Sequence, residues 1–257
     1  MRIMTCNIWG DYFNNPVEMR EDAFRYIIDK YQPDILGIQE FTQSWYNSNL
    51  FLELQKLYTV TTPNNYENFT PLFFRTDKFH LINSNWELYE DTPDPSKGIS
   101  WAVLVEPQNN EKKMAVLNTH FWWKSGDEHD LIRQKNALRL SALMKQLSDE
   151  YHTCAIAFGD FNCNISNNPV KVLKEHGVVP MIELAKEFDT VSSHHGDPQK
   201  GSDGLYHGTK TNKNYEFSID HIMAFQMNRS VSAYKVIEDQ IALDASDHSP
   251  IYTDFDD

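Results

Sequence analysis

Three cysteines in 257 residues, Cys6, Cys154 and Cys163, leave no disulfide framework and no Cys-x-x-Cys spacing for zinc or redox chemistry. They read as reduced, inert core residues. No apolar run reaches the roughly 18 residues that span a bilayer. Met1 to Asn7 resembles a buried strand rather than a basic patch with an apolar signal core, so a cytoplasmic protein is expected. Linker-like runs of Pro, Gly, Ser or like charge are missing, as are repeats, and the expectation is one domain over residues 1–257. Positive charge is also scarce, 23 Lys and Arg against 37 Asp and Glu, for a net charge of -14. Nucleic-acid backbones are held by neutralising many phosphates, so avid binding of duplex DNA is not expected. Divalent metals could offset carboxylate charge within a site. Aromatic residues, by contrast, make up 13% of the chain, enough to exclude disorder.

Periodicity places elements in alternation. Ile3 to Ile8 is a strand, and Asn15-Pro16 with Glu18 reads as an N-cap, N1 proline and N3 acid opening a helix with Ala23, Phe24, Ile27, Ile28 and Tyr31 on its apolar face. Ile35 to Ile38 is a buried strand, followed by a helix over 45–58 and strands at 59–62, 72–74, 79–82 and 99–105. A strand over 114–120, a helix over 131–150 and a strand over 155–158 come next, then a short helix over 170–176 and strands at 218–224, 231–237 and 250–255. This order predicts a four-layer α/β/β/α sandwich, two facing mixed sheets with outer helices.

Polar residues recur where these strands end. Gly159-Asp160-Phe161-Asn162 follows four apolar residues and holds a carboxylate, able to orient water, beside an amide, able to bind a phosphoryl oxygen without adding charge. Alone, Gly, Asp and Asn would read equally well as a turn. Ser246-Asp247-His248-Ser249-Pro250 places a carboxylate next to an imidazole, and Asp220, in an otherwise apolar strand, is the candidate to fix the tautomer of His248. Asn118-Thr119-His120, Gln39-Glu40 and Cys6-Asn7 add an imidazole, an acid and an amide at three more strand ends. Hard oxygen donors of this kind suit Mg²⁺ or Mn²⁺.

With these segments the chain resembles the endonuclease/exonuclease/phosphatase family, the fold of deoxyribonuclease I, from Asn7 to Pro250. The resemblance implies a metal-dependent hydrolase that cleaves a phosphate ester by in-line attack of water. It implies metal binding by Asn7, Glu40 and Asp247, and water orientation by Asp160. It implies phosphate contact by Asn162 and His248, contact with the phosphate or the leaving oxygen by His120, and orientation of His248 by Asp220. The Asn-Thr-His motif is similar to the deadenylase and nocturnin-like branch and to bacterial relatives. Abasic-site endonucleases carry tyrosine in place of His120, and the inositol polyphosphate phosphatases carry a Trp-Cys-Asp-Arg block that the Ile219-Asp220 region lacks. Substrate partners in view are a nucleotide or single-stranded nucleic acid, or a small-molecule or lipid phosphodiester; a non-catalytic binding domain on the same fold is the rival reading.

Two positions depart from the family pattern. Ser218 stands where relatives often have Arg, and His221 where they have Tyr, so a phosphate-side cation is either missing or supplied by Lys97, Arg133 or Lys210. Arg133 is taken as a substrate contact, together with Tyr206 and His207, whose Tyr-His-Gly resembles a Phe-His-Gly rim segment of bacterial relatives. Trp122-Trp123 reads as a stacking surface or as hydrophobic lid or core, and His194-His195 as loop.

Overall fold

Along β1 (Arg2–Asn7), Ile3 faces one hydrophobic core while Met4 and Cys6 face another, because the strand lies within a sheet covered on both sides. The computed structural model describes residues 1–12, 15–62, 67–109 and 112–256. In chain order the strands after β1 are β2 (Ile35–Gln39), β3 (Tyr58–Val60), β4 (Leu72–Arg75), β5 (His80–Leu88), β6 (Gly98–Glu106), β7 (Lys112–His120) and β8 (Ala155–Asp160). They continue with β9 (Val178–Pro180), β10 (Ala185–Phe188), β11 (Gln199–Lys200), β12 (Tyr206–His207), β13 (Asp220–Phe225), β14 (Val231–Val236) and β15 (Ile251–Phe255). One sheet runs β10-β14-β15-β1-β2-β4-β3 and the other β5-β6-β7-β8-β13-β9, while β11 and β12 form a small hairpin. Both large sheets are mixed: β1 is parallel to β2 and antiparallel to β15, and β7 is parallel to β8, which is antiparallel to β13.

Three cores separate four layers. Helices α1 (Glu21–Tyr31), α2 (Gln43–Tyr46) and α3 (Asn49–Leu57) cover the outer face of the first sheet, through Phe24, Ile27, Trp45, Phe51 and Leu54. Between the sheets Ile3, Ile35 and Phe74 meet Leu104, Val116, Ile156 and Phe158. Outside the second sheet, α4 (Asp127–Tyr151) and α5 (Asn168–Glu175) pack Leu140, Met144 and Leu173 against Ala115, Leu117 and Ala157. The expected α/β/β/α sandwich is therefore the architecture found.

Polar groups tie the sheets together near one end of this sandwich. Gln39 Nε2 donates to Thr5 Oγ1 (2.9 Å) and to Asn118 Oδ1 (2.5 Å), and Asn118 Nδ2 donates to the carbonyls of Ile38 and Pro71, both at 2.8 Å. Asn118 is thus a cross-sheet brace. Gly37 permits this approach, since a Cβ there would lie 2.7 Å from the Asn118 side chain.

Several boundaries differ from the expectation. Asn15-Pro16 opens a 3₁₀ turn (Val17–Met19) and α1 begins only at Glu21; the Asn15 side chain is buried and caps nothing. The helix expected over 45–58 is two, because the Ser48 hydroxyl accepts Phe51 N–H at 3.2 Å and starts α3 afresh. β5 runs on to Leu88 along an exposed sheet edge, where apolar patterning is weak. The short β9, β10 and α6 (Gln240–Ala245) had no periodic signal to reveal them. Among the described residues, no helix is long and apolar enough to cross a membrane.

Candidate active site

Every motif expected to carry chemistry reaches the same end of the sandwich. The parallel register sets His120 opposite Asp160, the antiparallel one sets Asp220 opposite Asp160, and β1 ends at Asn7 beside Gln39, just before Glu40. Asp247 and His248 sit on the segment that leads into β15, where Ser246 Oγ donates to the Asn7 carbonyl at 2.8 Å. The segment ends are thus held by strand pairing rather than by flexible loops.

Asp160 is the hub. Its Oδ2 lies 3.2 Å from His120 Nε2 and 3.9 Å from His248 Nε2 and accepts Asn7 Nδ2 at 3.1 Å, while Oδ1 accepts Asn162 N–H at 2.8 Å. Burial would raise its pKa, but His120, His248 and Lys97 outweigh burial and hold it far below the usual carboxylate range. His248 Nδ1 lies 2.8 Å from Asp220 Oδ2, which also accepts the Ser193 hydroxyl at 2.7 Å. Burial works against charge on His248, yet Asp220, Asp247 and Asp160 together raise its pKa well above normal. The dyad therefore turns a charged Nε2–H toward the cleft.

Glu40 has a left-handed backbone (φ 60°) that swings its carboxylate off the end of β2. Its Oε1 accepts Asn7 Nδ2 at 3.1 Å and its Oε2 accepts Gly10 N–H at 2.8 Å. Burial opposes its ionisation, but His120 and Lys97 keep it below the ordinary value. Asn7 thus offers its nitrogen to Glu40 and Asp160 together, and its Oδ1 accepts Trp9 N–H at 3.0 Å. In Asp247 burial prevails and raises the pKa to about 6, with Glu40 adding to the rise and His248 opposing it. Three carboxylates around one cleft with incompletely compensated charge match the hard-oxygen preference of a small divalent cation.

The structure brings together Asn7, Glu40, His120, Asp160, Asn162, Asp220, Asp247 and His248. Of the three candidate cations, Lys97 reaches the group. Lys97 is 4% exposed, and its Nζ lies 2.8 Å from His120 Nε2 and 3.2 Å from Nδ1. Desolvation lowers its pKa, against the pull of Glu40, Asp160 and Asp94. Arg133 does not reach the group: its guanidinium donates to the carbonyls of Trp122 and Lys124 and pairs with Asp130. Lys210 is on the surface, 3.7 Å from Glu238. Tyr206 meets the edge of Trp9 (ring centroids 6.0 Å), whereas His207 is exposed and pairs with Asp203 at 3.0 Å. Cys163 is buried, and burial pushes its thiol up, which disfavours the thiolate. Trp122 is buried, with Nε1 donating to His129, while Trp123 is exposed at the cleft.

Two residues had no sequence signal. His194 lies with its ring centroid 5.0 Å from that of His248 and its Nε2 3.9 Å from Asp247 Oδ2; a histidine in a loop carries no periodicity. Arg20 is 2% exposed and donates to the carbonyls of Ile8 and Trp9 (2.6 Å each), Asn15 (3.1 Å), Ala245 (3.2 Å) and Gly10 (3.3 Å). It clamps the loop that hydrogen-bonds Glu40 to the segment before Ser246. Arg20→Met is expected to cost about 3 kcal/mol in urea unfolding, since it leaves buried carbonyls unpaired. A loss below about 1 kcal/mol would show that the clamp is dispensable.

The site and the layering define a class of two-sheet α/β domains that gather a polar cluster at one end of the sandwich. The chain belongs to the endonuclease/exonuclease/phosphatase family, whose model matches residues 4–248; nucleases and phosphatases alike are hydrolases of phosphate esters. It is similar in fold to a family protein from Bacteroides thetaiotaomicron, at 18% identity and a TM-score of 0.78 over 99% of this chain and 97% of that one. A mannosyl-6-phosphatase of the same organism gives 18% and 0.75 over 100% and 99%, and D. rerio TDP2 complexed with single strand DNA product gives 16% and 0.72 over 100% and 99%. No curated protein matches the chain.

Proposed function

We propose that the protein is a divalent-metal-dependent hydrolase of a phosphate ester, using Mg²⁺ or Mn²⁺ and in-line attack of water on phosphorus, and that it acts in the cytoplasm. The observation that carries this reading is the pairing of Asp160 with His120 (3.2 Å) beside the His248–Asp220 dyad (2.8 Å), in one cleft with Glu40 and Asp247. A buried array of this cost is hard to explain in a domain that only binds. Glu40 and Asp247 would hold the metal, with Asn7 ligating or orienting them. A bound divalent ion supplies charge stabilisation at the phosphoryl oxygens.

This chain's own groups do the rest. Asp160, ionised throughout the neutral range, orients the attacking water through a lone pair. Charged His248, fixed at Nδ1 by Asp220, directs Nε2–H at a phosphoryl oxygen. His120 and Lys97 together present donors on the phosphate side, which supplies the cation that Ser218 does not. Asn162, its backbone left-handed (φ 48°) and its Nδ2 donating to the Phe121 carbonyl at 3.1 Å, lines the cleft next to Asp160 and contributes to the phosphate contact. Positioning and electrostatics account for most of the acceleration in such chemistry. The substrate is a small phosphate ester or a nucleotide or single strand. The names of the two relatives set a phosphorylated sugar and a DNA strand side by side as candidate classes.

The test is turnover of nitrophenyl phosphate mono- and diesters, with Mg²⁺ or Mn²⁺ and then with EDTA. Hydrolysis that chelation abolishes and added metal restores is expected. Failure to cleave any ester in either metal would sink the proposal.

A further inference from the structure

Beyond the reacting groups, the cleft has walls. It encloses about 570 Å³, far more than a phosphoryl group fills, and Trp9, Tyr12, Phe69 and Trp123 stand around the polar floor. Trp123 is 54% exposed and presents its indole at the cleft, next to the polar floor. Trp9 is held in the left-handed region (φ 56°), a conformation that costs about 1 kcal/mol or more for a bulky residue. That strain is maintained by Asn7 Oδ1 on its N–H, Arg20 on its carbonyl and the Tyr206 ring against its edge. The wall is therefore built.

Charge on these walls is negative. Lys97 is the only Lys or Arg lining the cleft among the described residues, and it lies on the floor beside His120, while Asp94 and Asp197 lie around it. Asp94 Oδ1 accepts Ser96 N–H at 2.8 Å, and the exposed Asp197 carboxylate has no hydrogen bond or ion pair among the described residues. Lys124, outside the lining, has its ammonium over the Trp122 and Trp123 rings, 5.6 Å from each. A strand would bring flanking phosphates to carboxylates, a repulsive encounter. A ring with many hydroxyls would instead donate to them, in charge-assisted hydrogen bonds, while its C–H face lies on an aromatic surface.

Resting on the hydrolase reading, we propose that the ester is that of an uncharged, hydroxyl-rich ring alcohol, a phosphorylated sugar or cyclitol, seated against Trp9 and Trp123 with its hydroxyls donated to Asp94 and Asp197. The test is competition against a nitrophenyl phosphate reporter in Mg²⁺, using glucose, mannose and galactose 6-phosphates, inositol 1-phosphate, inorganic phosphate and 5′-phosphorylated pentathymidylate. At least one sugar or cyclitol phosphate is expected to inhibit about tenfold more tightly than inorganic phosphate or the oligonucleotide, a difference of about 1.4 kcal/mol. In D197N and W123A that preference, a ratio independent of the active fraction, falls by about threefold or more. Equal inhibition by sugar phosphates and inorganic phosphate, or tightest inhibition by the oligonucleotide, overturns this inference alone. A reporter left uncleaved in both Mg²⁺ and Mn²⁺ overturns it together with the hydrolase reading.

Discussion

Asp160→Asn and His248→Ala are each expected to lower turnover by about 10²-fold or more while the protein stays folded. Asp160→Asn keeps the shape of the side chain, so strand pairing to His120 and Asp220 survives, but it removes the charge that His120, His248 and Lys97 surround. His248→Ala removes the donor that Asp220 holds in place, and leaves Asp220 with the Ser193 hydroxyl. The two groups act as one unit across a 3.9 Å gap, so the double variant should lose little more than the worse single one. Steady-state rates at saturating metal, with near-native circular dichroism as the control, check both points. Near wild-type rates in either single variant would remove Asp160 and His248 from the mechanism.

Gly159→Ala is expected to be severely destabilising. The backbone at Gly159 has φ +147°, and an added Cβ would overlap the Thr119 carbonyl oxygen and lie 2.8 Å from its carbon. That carbonyl belongs to the neighbouring strand and cannot turn aside without breaking the β7–β8 ladder. Backbone strain and overpacking each cost about 1–3 kcal/mol, so a loss of about 4 kcal/mol or an insoluble product is anticipated. Gly196→Ala is the control: its φ is +94°, but nothing lies within 4 Å of the new methyl, so only the strain is felt. Thermal melts of the two variants separate strain from collision, and equal melting temperatures would refute the contact argument.

How much of this was legible beforehand depended on the physics of each segment. Buried strands that end in a polar residue announce themselves, because an acid or amide after four or five apolar residues breaks the pattern abruptly; β2 with Glu40 and β8 with Asp160 are of this kind. The outer helices α1 and α4 showed their apolar faces for the same reason. Short edge elements such as β9 and β10 bury too few side chains to leave a period. His194 reaches the site through a bridge to His248, and Lys97, just before β6, folds its chain inward to His120; both depend on tertiary pairing that no local window contains. Arg133 shows the converse, since a helical cation near the motif was consumed by backbone carbonyls.

β1 and β15 lie side by side in the middle of their sheet although 239 residues separate Asn7 from the Ser246 hydroxyl that grips its carbonyl. While the chain is being synthesised, β1 must wait with one edge unpaired until residues 251–255 have emerged, and closing so long a loop is slow. Asp247 and His248, on the segment that leads into β15, therefore join Asn7, Glu40, His120 and Asp160 only in the last stage of folding. Until then the cleft lacks Asp247 and His248, so the pairing of His248 with Asp220 would serve as a clock for the completion of the fold.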